Sequence, residues 1–519
     1  MSEKEREELE RTDVQQADHK PEDDKENLHK KAPVKLKRRV KSRKYKRRRK
    51  LLLGTLALFL FALGVFIFLC YDHYVTYPGI MARDSIHAKD RGLDYIELTW
   101  DEVRNTDEYK VYVKEHVSKE EDIQTSEYNI DDSWGSYSSK GRSIRIDGLK
   151  EGTSYSFSIR PDNKKAEGLY TSVRNFRTKK TQKVKAANSI TKLTCSKPFR
   201  IDAEAETELM YESDNPEVAE ITETGDIKIT GEGNAVITVH AKESEDYVRD
   251  STEVNLQVLY SAPVPAGGAK AYYIHHLDSD NCDVVKRVTG AGGHVVPQSF
   301  GYSGDKYIIA YGMSGQGSIV TYPVDGEGED GKEYIKPDIA LNHPNGFAYD
   351  EENKIGYSVR GWSSRAITYD ENTGAFGTMN FSYGCSGIGY DRKEKAIYTS
   401  SRTLMAAYDA NDYSVKNTTG VVSHSGSWAT QDVGGHGGIM IRCLSPNGNI
   451  HGTNCIDLYD MREGMYLGSF SCDLSEVESA IVNKDGFLEI LANNSGNEDY
   501  IWRTDINIET LAEGIDYGE

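Results

Sequence analysis

Cysteine is scarce in this chain, with 7 among 519 residues. Cys70 belongs to an apolar run, and the remaining cysteines are an even but small number for the rest of the chain. So few cysteines exclude a fold held together mainly by disulfides. Cys443 and Cys455 flank the turn sequence SPNGN almost symmetrically, which predicts one hairpin disulfide; free structural thiols are the alternative.

Several common enzyme motifs are also absent from the part that follows the apolar run. It contains no G-x-S-x-G elbow, H-E-x-x-H pair, P-loop or C-x-x-C. The sequence therefore does not support assigning the chain to the corresponding classes of hydrolases, metalloproteases, nucleotide enzymes or redox proteins. Proline is sparse at 13, whereas tyrosine at 33 and glycine at 47 favour strands and tight turns. A chain of this length predicts three or four domains.

Charge is missing from Leu51 to Cys70, a run of 20 residues. Such a run spans the roughly 30 Å hydrocarbon core of a bilayer as a helix, so residues 51–71 are predicted to be a transmembrane helix with the lipid bilayer as partner. No signal-peptide cleavage pattern follows the run, and a buried core helix is the alternative. Residues 35–50 carry twelve cations and no anion. The positive-inside rule therefore predicts a cytoplasmic N-terminus and extracellular C-terminal domains.

The charge is distributed unevenly. The net charge is −6 for residues 1–29 and +14 for residues 30–50. Because the whole chain has a net charge of −19, the remaining residues carry −27. Residues 1–29 have almost no large apolar side chains, so residues 1–50 are predicted to be a disordered cytoplasmic tail with a basic juxtamembrane run. An exterior this acidic argues against nucleic acid as a partner.

Residues 86–178 alternate strand patterns with turns about every ten residues, as a β-sandwich does. The segment resembles a fibronectin type III domain in its strand tryptophan, its Leu-x-x-Gly-Thr-x-Tyr corner and its closing element. These features are carried by Trp100, Leu149, Gly152, Thr153, Tyr155 and Gly168–Ser172. The closing element reads GLYTS, a minor departure from the family pattern. The resemblance implies a sandwich in which these residues serve packing and turns.

Residues 184–260 form a second, shorter β pattern that resembles the bacterial Ig-like domain of group 2. The matching positions are Ser213, Asn215, Pro216, Val218, Ala219, Gly225, Gly233, Ala235, Ile237, Thr238 and Val239. That family is typical of bacterial surface and secreted proteins. The resemblance therefore implies a second Ig-like sandwich and a bacterial source.

Residues 270–510 contain five copies of a pattern of short strands and turns. The first polar residues of the copies are spaced by 47, 41, 45 and 47 residues: Gln298, Asn345, Ser386, Gln431 and Glu478. A period in the forties with three or four strands per unit predicts a β-propeller. The last copy lacks a fourth strand. The strand pair in AYYIHHLDSDNCDVVKRV would complete that blade, giving five blades, or help to build a sixth; five is preferred.

One copy, HPNGFAYDEENKIGYSV, resembles the NHL and strictosidine-synthase-like propeller repeats, in which H-P-x-G-x-A-x-D leads into the innermost strand. The other copies keep the spacing but not the histidine, so the propeller prediction depends mainly on the repeat. The predicted fold class is an all-β ectodomain of two Ig-like β-sandwiches and a five- or six-bladed β-propeller, preceded by one transmembrane helix.

The repeat also predicts a site. If each copy begins its innermost strand, the first polar residues surround one mouth of the central channel, where several loops converge. The predicted ligand-binding residues are Gln298, Asn345, Ser386, Gln431, Asp432, Glu478, His343 and His436. Polar residues that only hydrogen-bond the loops are the alternative interpretation. Trp362 and Trp428 are candidate stacking platforms for sugars.

Two kinds of chemistry remain open at this mouth. In paraoxonase-like lactonases, which are propellers of similar kind, Asn, Asp and Glu at strand starts hold calcium. That resemblance implies a calcium site on Asn345, Asp432 and Glu478, which are hard oxygen donors. A glycan-cleaving enzyme would need paired carboxylates or a histidine base, which Glu478, Asp432, His343 and His436 would supply.

The leading hypothesis is a membrane-anchored surface protein whose sandwich stalk presents a propeller that binds an extracellular glycan or protein. The alternative is a propeller enzyme, either glycan-cleaving or a metal-dependent lactonase-like hydrolase, that acts outside the cell.

Overall fold

The computed structural model describes residues 43–116, 130–325, 331–360, 363–447, 449, 451–494 and 499–518. They form two compact units. The first unit contains the N-terminal helix up to residue 79 together with segments 103–107 and 162–168, and the second contains the other described residues from 80 onward. The predicted tail of residues 1–50 lies outside the described residues as far as residue 42.

The long helix α1 (Arg43–Thr76) contains the uncharged run. Within the described part of the chain it is the one helix long and apolar enough to cross a membrane, from Lys46 to Thr76. At 1.5 Å per residue these 31 residues measure about 46 Å, more than the thickness of the hydrocarbon core. The helix is therefore a candidate for the membrane span predicted at 51–71.

Side chains of the same compact unit cap the C-terminal end of α1. Carbonyl groups in the last turn of a helix have no partner within the helix. The Asn105 side-chain amide donates to the Val75 carbonyl at 2.9 Å, and the Asn163 amide donates to the Thr76 carbonyl at 3.0 Å. These bonds satisfy acceptors that would otherwise need water at the end of the helix.

The first β region is a sandwich of two sheets. Its described strands are β1 (His87–Arg91), β2 (Tyr95–Thr99), β3 (Glu108–Glu115), β4 (Gly135–Ser139), β5 (Ser143–Asp147), β6 (Ser154–Asp162) and β7 (Arg174–Arg177). One sheet has the order β1-β2-β5 and the other β4-β3-β6-β7. Trp100 is buried, with its ring 5.3 Å from that of Tyr109, and the Tyr155 hydroxyl accepts a hydrogen bond from the Lys150 N–H at 2.8 Å. The inter-sheet tryptophan and the tyrosine corner expected from the sequence are both present.

The second β region has shorter strands. They are β8 (Lys185–Ala186), β9 (Ser189–Leu193), β10 (Ala203–Glu204), β11 (Leu209–Ser213), β12 (Ala219–Ile221), β13 (Ile227–Ile229), β14 (Gly233–Ala241) and β15 (Asp250–Leu259). The main sheet has the order β11-β14-β15-β9, in which β15 and β9 are parallel. Ile237, Val254 and Leu256 lie in its core. Gly225, in the turn between β12 and β13, has φ +80°, a conformation that glycine adopts without steric cost.

The remaining described residues begin with β16 (Val264–Pro265), β17 (Tyr273–Leu277) and β18 (Cys282–Val288), followed by five consecutive groups of strands. The first three groups are β19 (Pro297–Tyr302), β20 (Lys306–Tyr311), β21 (Ser318–Pro323) and β22 (Glu333–Ile335); β23 (Pro344–Asp350), β24 (Ile355–Arg360), β25 (Ser363–Asp370) and β26 (Ala375–Cys385); and β27 (Gly387–Asp391), β28 (Ala396–Ser400), β29 (Leu404–Asp409) and β30 (Val415–Gly420). The last two groups are β31 (Trp428–His436), β32 (Ile439–Pro446), β33 (Asn454–Asp460) and β34 (Met465–Cys472); and β35 (Glu476–Val482), β36 (Phe487–Asn493) and β37 (Asp499–Asn507), before the short helix α2 (Ile508–Leu511).

Each group forms one antiparallel sheet, here called sheets one to five in chain order. The first strand of each sheet contacts the first strand of the next, and β35 of sheet five contacts β19 of sheet one. The early strands separate: β18 pairs with β37 and becomes the fourth strand of sheet five, while β16 and β17 pair with β34 of sheet four. The strand missing from the last repeat is thus supplied from the start of the region.

The second β region contacts the elements on both sides of it. The Lys180 N–H, just after β7, donates to the Asp246 carbonyl at 2.8 Å. The Thr191 N–H of β9 donates to the Thr510 hydroxyl of α2 at 3.0 Å. The two β regions and the sheets that follow are therefore joined by direct hydrogen bonds.

The predicted disulfide between Cys443 and Cys455 is wrong. Both are free, buried thiols. The register of β32 and β33 pairs Cys443 with Ile456 and Leu444 with Cys455. Directly paired residues share a face of the sheet and consecutive residues alternate faces, so the two thiols point to opposite sides. A shift of one residue in register therefore separates the two sulfur atoms.

Candidate functional site

A backbone irregularity recurs at the start of the first strand in four of the five sheets. The pairing with the second strand skips residues between Pro297 and Ser299, between Pro344 and Gly346, between Thr430 and Val433, and between Val477 and Ser479. The skipped residues are Gln298, Asn345, Gln431 with Asp432, and Glu478. A β-bulge leaves its extra residue outside the ladder and redirects the side chain. Four of the five residues predicted from the repeat are thus bulged, and Ser386 is the exception.

Five of the eight predicted residues line one cavity of about 690 Å³: Gln298, His343, Asn345, Gln431 and Glu478. The other residues that line it are Val296, Met313, Asn342, Arg360, Ala429, Thr430, Glu476 and Asn493. We call this cavity the mouth. Its volume lies within the range of small-ligand pockets, which are usually lined mostly by apolar groups. The many carboxamides and carboxylates of the mouth suit a polar ligand instead.

Asn345 connects the loops around the mouth. Its amide nitrogen donates to the carbonyl groups of Ser386 and Gln431, and to that of Thr430 at 3.2 Å. Ser386 lies directly before β27 and takes part through its carbonyl group, while its hydroxyl is buried without a partner among the described residues. Asn345 therefore holds the starts of three neighbouring sheets together.

Two carboxylates share one donor in the mouth. The Asn493 side-chain nitrogen lies 3.1 Å from Glu476 Oε2 and 3.0 Å from Glu478 Oε1. The two oxygens are therefore at most about 6 Å apart. Burial raises the pKa of Glu478 well above its usual range, and the nearby Glu476 carboxylate raises it further. Burial also raises the pKa of Glu476. The pair therefore retains a proton at a pH where exposed glutamates are ionised.

His343 contributes an imidazole to the same cavity. Burial lowers its pKa, an effect that a hydrogen bond with the Asn345 side chain partly offsets. A neutral imidazole has one donor and one acceptor nitrogen, so it can accept or donate a hydrogen bond to a ligand.

Asp432 follows the mouth residue Gln431 but does not line the mouth. Its Oδ1 accepts from the Ile388 N–H at 2.9 Å, and its Oδ2 accepts from the Ser479 hydroxyl at 2.7 Å and the Phe347 N–H at 3.4 Å. Burial raises its pKa to about 8. We call this buried position the axis.

The calcium set of Asn345, Asp432 and Glu478 is therefore divided between the mouth and the axis. The Asp432 oxygens already face hydrogen-bond donors from three other sheets, and the Asn345 nitrogen is bonded to carbonyl groups. Among these three residues, only Asn345 and Glu478 line the mouth.

The prediction that His436 belongs to the mouth is wrong. Gln431 and His436 lie on the same strand, β31, and five residues of strand measure about 17 Å. His436 ends the strand beside Gly437, whose N–H donates to the Asp391 carboxylate at 3.0 Å. His436 is therefore too far along the strand to reach the mouth, and it does not line that cavity.

Sequence reasoning missed Glu476 and Asn493. The two residues are paired across β35 and β36, a relation that appears only once the register is known. The alternation in Glu476-Val477-Glu478 was the one signal that a second carboxylate accompanies Glu478. The Trp428 indole N–H donates to the Ser425 carbonyl at 2.9 Å, and Trp428 does not line the mouth. Trp362 lies outside the described residues.

No protein-family model matches the chain, and no curated protein matches it. Solved structures similar to parts of it include Myxococcus xanthus glutaminyl cyclase, at 10% identity over 43% of this chain and 95% of that one, with a TM-score of 0.32. The WD40 repeats of RRP9 are similar at 11% identity over 44% of this chain and 99% of that one, with a TM-score of 0.27. The fibronectin type III domain of the human collagen alpha-1(XX) chain is similar at 15% identity over 18% of this chain and 80% of that one, with a TM-score of 0.15. At these identities and scores the similarities carry no argument about function.

Proposed function

We propose that the chain is a single-pass, membrane-anchored surface protein that binds a segment of extracellular glycan in the mouth of a five-bladed β-propeller. The observation that carries this proposal is the convergence of bulged polar residues from different sheets on one cavity. Five sheets with contacting first strands support the count of five blades. On this proposal residues 270–510 are the propeller, and residues 86–178 and 184–260 are the sandwiches that present it.

The chemistry of the mouth favours a ligand rich in hydroxyl groups. Glutamine, asparagine and glutamate side chains offer donors and acceptors close together, and a sugar hydroxyl uses both. Gln298, Gln431 and Glu476 come from three different sheets and so can contact different parts of one ligand. A concave cavity suits a small ligand or the end of a chain better than the flatter surface of a folded protein.

The proposed orientation places residues 1–50 in the cytoplasm and the two sandwiches and propeller outside. It is supported by the basic residues directly before the span, such as Arg47 and Lys50. Protease added to intact, wall-stripped cells should remove a C-terminal epitope and spare an N-terminal one. Protection of the C-terminal epitope in intact cells would reverse the orientation.

Binding is tested with the full chain in lipid nanodiscs on an array of bacterial and host oligosaccharides. The best ligand is then measured by calorimetry with Glu476→Gln and Glu478→Gln. Each substitution removes a carboxyl group from the mouth while preserving its shape, so we expect at least a tenfold loss of affinity, or about 1.4 kcal/mol. The melting temperature should change little, because Gln resembles a protonated Glu.

Glu351→Gln is the matched control. Glu351 is also a partly buried glutamate whose pKa burial raises, but it pairs with Arg392 at 3.3 Å, away from the mouth. The control variant should bind like the wild type. Equal losses in all three variants, or no array ligand at all, would contradict glycan binding in the mouth.

A second candidate function is glycan cleavage by Glu476 and Glu478. Retaining glycosidases hold two carboxyl groups about 5–5.5 Å apart, one of them protonated. The limit of about 6 Å between the two oxygens and the raised pKa of Glu478 are compatible with this arrangement. If the chain is such an enzyme, it should release reducing ends from the bound oligosaccharide, and either Gln variant should stop their release. Binding without release would exclude catalysis for that ligand.

A further inference from the structure

A cluster of metal-ligating residue types lies outside the mouth, on the side of sheet four that faces sheet three. Cys455 and Asp457 alternate on β33 and therefore share one face of the sheet. His424 belongs to the connection between β30 and β31. Arg442 is paired with Asp457 in the ladder and therefore lies on the same face. Its side chain donates to the Ser400 hydroxyl of sheet three at 3.1 Å, so this face is the one directed at sheet three.

The side-chain atoms of the cluster are close to one another. Cys455 Sγ lies 3.8 Å from His424 Nδ1 and 3.5 Å from Asp457 Oδ1. His424 Nε2 lies 2.9 Å from Asp457 Oδ1. Among the described residues, this is the group of three His, Cys, Asp or Glu side chains whose ligand atoms all lie within 4.8 Å of one another.

These separations suit a transition metal. Zinc lies about 2.3 Å from sulfur and about 2.0–2.1 Å from nitrogen or oxygen, so tetrahedral ligands are about 3.5 Å apart. The separation of Cys455 Sγ from His424 Nδ1 is close to that value. The bond from His424 Nε2 to Asp457 is the carboxylate–histidine contact that orients metal-bound imidazoles. The Tyr273 hydroxyl is also hydrogen-bonded to Cys455 and supplies a further oxygen.

Hydrogen-bond donors surround the fully buried Asp457. Arg442 donates to its Oδ2 at 3.4 Å, and His424 Nε2 lies 2.9 Å from its Oδ1. The Ser469 hydroxyl donates to Asp457 Oδ1 at 2.6 Å, and the Tyr459 hydroxyl donates to Oδ2 at 3.0 Å. These contacts fix the position of the Asp457 carboxyl group beside the imidazole.

We propose that Cys455 and His424 bind a divalent transition metal of the zinc class through Sγ and Nδ1, with Asp457 orienting His424 through Nε2. The Tyr273 hydroxyl and a water molecule would be the third and fourth ligands. The metal would join the connection between sheets three and four to the third strand of sheet four. This role is structural and independent of ligand binding in the mouth.

Cobalt provides the test because its thiolate complexes absorb light. Reduced full chain in nanodiscs should bind one equivalent of Co²⁺, with a thiolate-to-cobalt charge-transfer band and the strong ligand-field bands of tetrahedral coordination. Zinc should displace the cobalt. Cys455→Ser should remove the charge-transfer band. Cys443→Ser, a buried cysteine on the opposite face of the neighbouring strand, should retain it.

A second measurement uses the wild-type chain alone, in case Cys455→Ser does not fold. Zinc should slow alkylation of Cys455 by iodoacetamide at least tenfold relative to EDTA, as read by peptide mass spectrometry, and should leave the rate at Cys443 unchanged. Equal rates at Cys455 with zinc and EDTA, absence of the charge-transfer band in the wild type, or loss of the band in Cys443→Ser alone would overturn the proposal.

Discussion

The mouth residue Gln431 and the axis residue Asp432 are consecutive in the sequence. The carboxyl groups of the two sites, Glu478 in the mouth and Asp432 in the axis, nevertheless have different surroundings. Asp432 in the axis accepts hydrogen bonds from Ile388, Phe347 and Ser479, each in a different sheet. Glu478 in the mouth accepts one from Asn493 and faces the cavity. Both carboxyl groups are fully buried, and burial raises the pKa of both.

The number and origin of the donors therefore distinguish the two groups, while burial does not. A buried carboxyl group surrounded by donors of the fold stabilises the fold. A buried carboxyl group that faces a cavity and can accept further hydrogen bonds is available to a ligand. The difference predicts that changes in the axis affect stability and changes in the mouth affect binding.

The largest expected effect is that of Asp432→Ala. It leaves two backbone N–H groups and one hydroxyl without their acceptor in a dry interior, at a cost of about 3 kcal/mol. Glu478→Ala should cost less than about 1 kcal/mol, because Asn493 keeps its bond with Glu476. Chemical denaturation followed by circular dichroism compares the two. Equal costs would contradict the division between axis and mouth.

The pH dependence of stability tests the surroundings of Asp432 in a second way. Folding raises the pKa of Asp432 to about 8, above the value near 3.9 of an unfolded chain. The folded state thus holds a proton that the unfolded state releases, so this contribution to the free energy of unfolding is complete below about pH 4 and is lost by about pH 8. Asp432→Asn should flatten the decrease in melting temperature between pH 5 and pH 8. An unchanged slope in Asp432→Asn would show that other groups cause it.

The smallest expected effects on stability come from removing one hydroxyl group beside the axis and one carboxamide group in the mouth. Ser479→Ala removes one donor to Asp432 and should cost about 1 kcal/mol without changing ligand affinity. Gln298→Ala in the mouth should change stability by less than about 0.5 kcal/mol and weaken ligand binding. Denaturation and calorimetry on both variants test this pair of outcomes, and the reverse pattern would contradict it.

The strand content and the mouth were accessible from the sequence because both follow from periodicity. Alternating residues indicated strands, and the repeat period located the mouth residues at the start of the first strand in four of the five sheets: Gln298, Asn345, Gln431 and Glu478. The long helix was indicated by a different local feature, the uncharged run from Leu51 to Cys70. These features depend on residues that are near one another in the sequence.

The features that sequence reasoning missed depend on pairing between distant residues. Asp432 is a structural group because Phe347, Ile388 and Ser479 reach it from other sheets. The disulfide prediction failed because one residue of register separates Cys443 from a position opposite Cys455. His436 was assigned to the mouth because the pattern gave its strand, but it lies five residues beyond Gln431 on that strand and does not line the cavity.

The most direct test of the proposed mouth is a structure of the full chain with the oligosaccharide selected on the array. We predict sugar hydroxyls within hydrogen-bonding distance of the side chains of Gln298, Gln431 and Glu476, with Asp432 still bonded to Ile388 and Ser479. An oligosaccharide bound on either sandwich, or in the separate cavity beside Tyr302 and Tyr390, would contradict the proposed function.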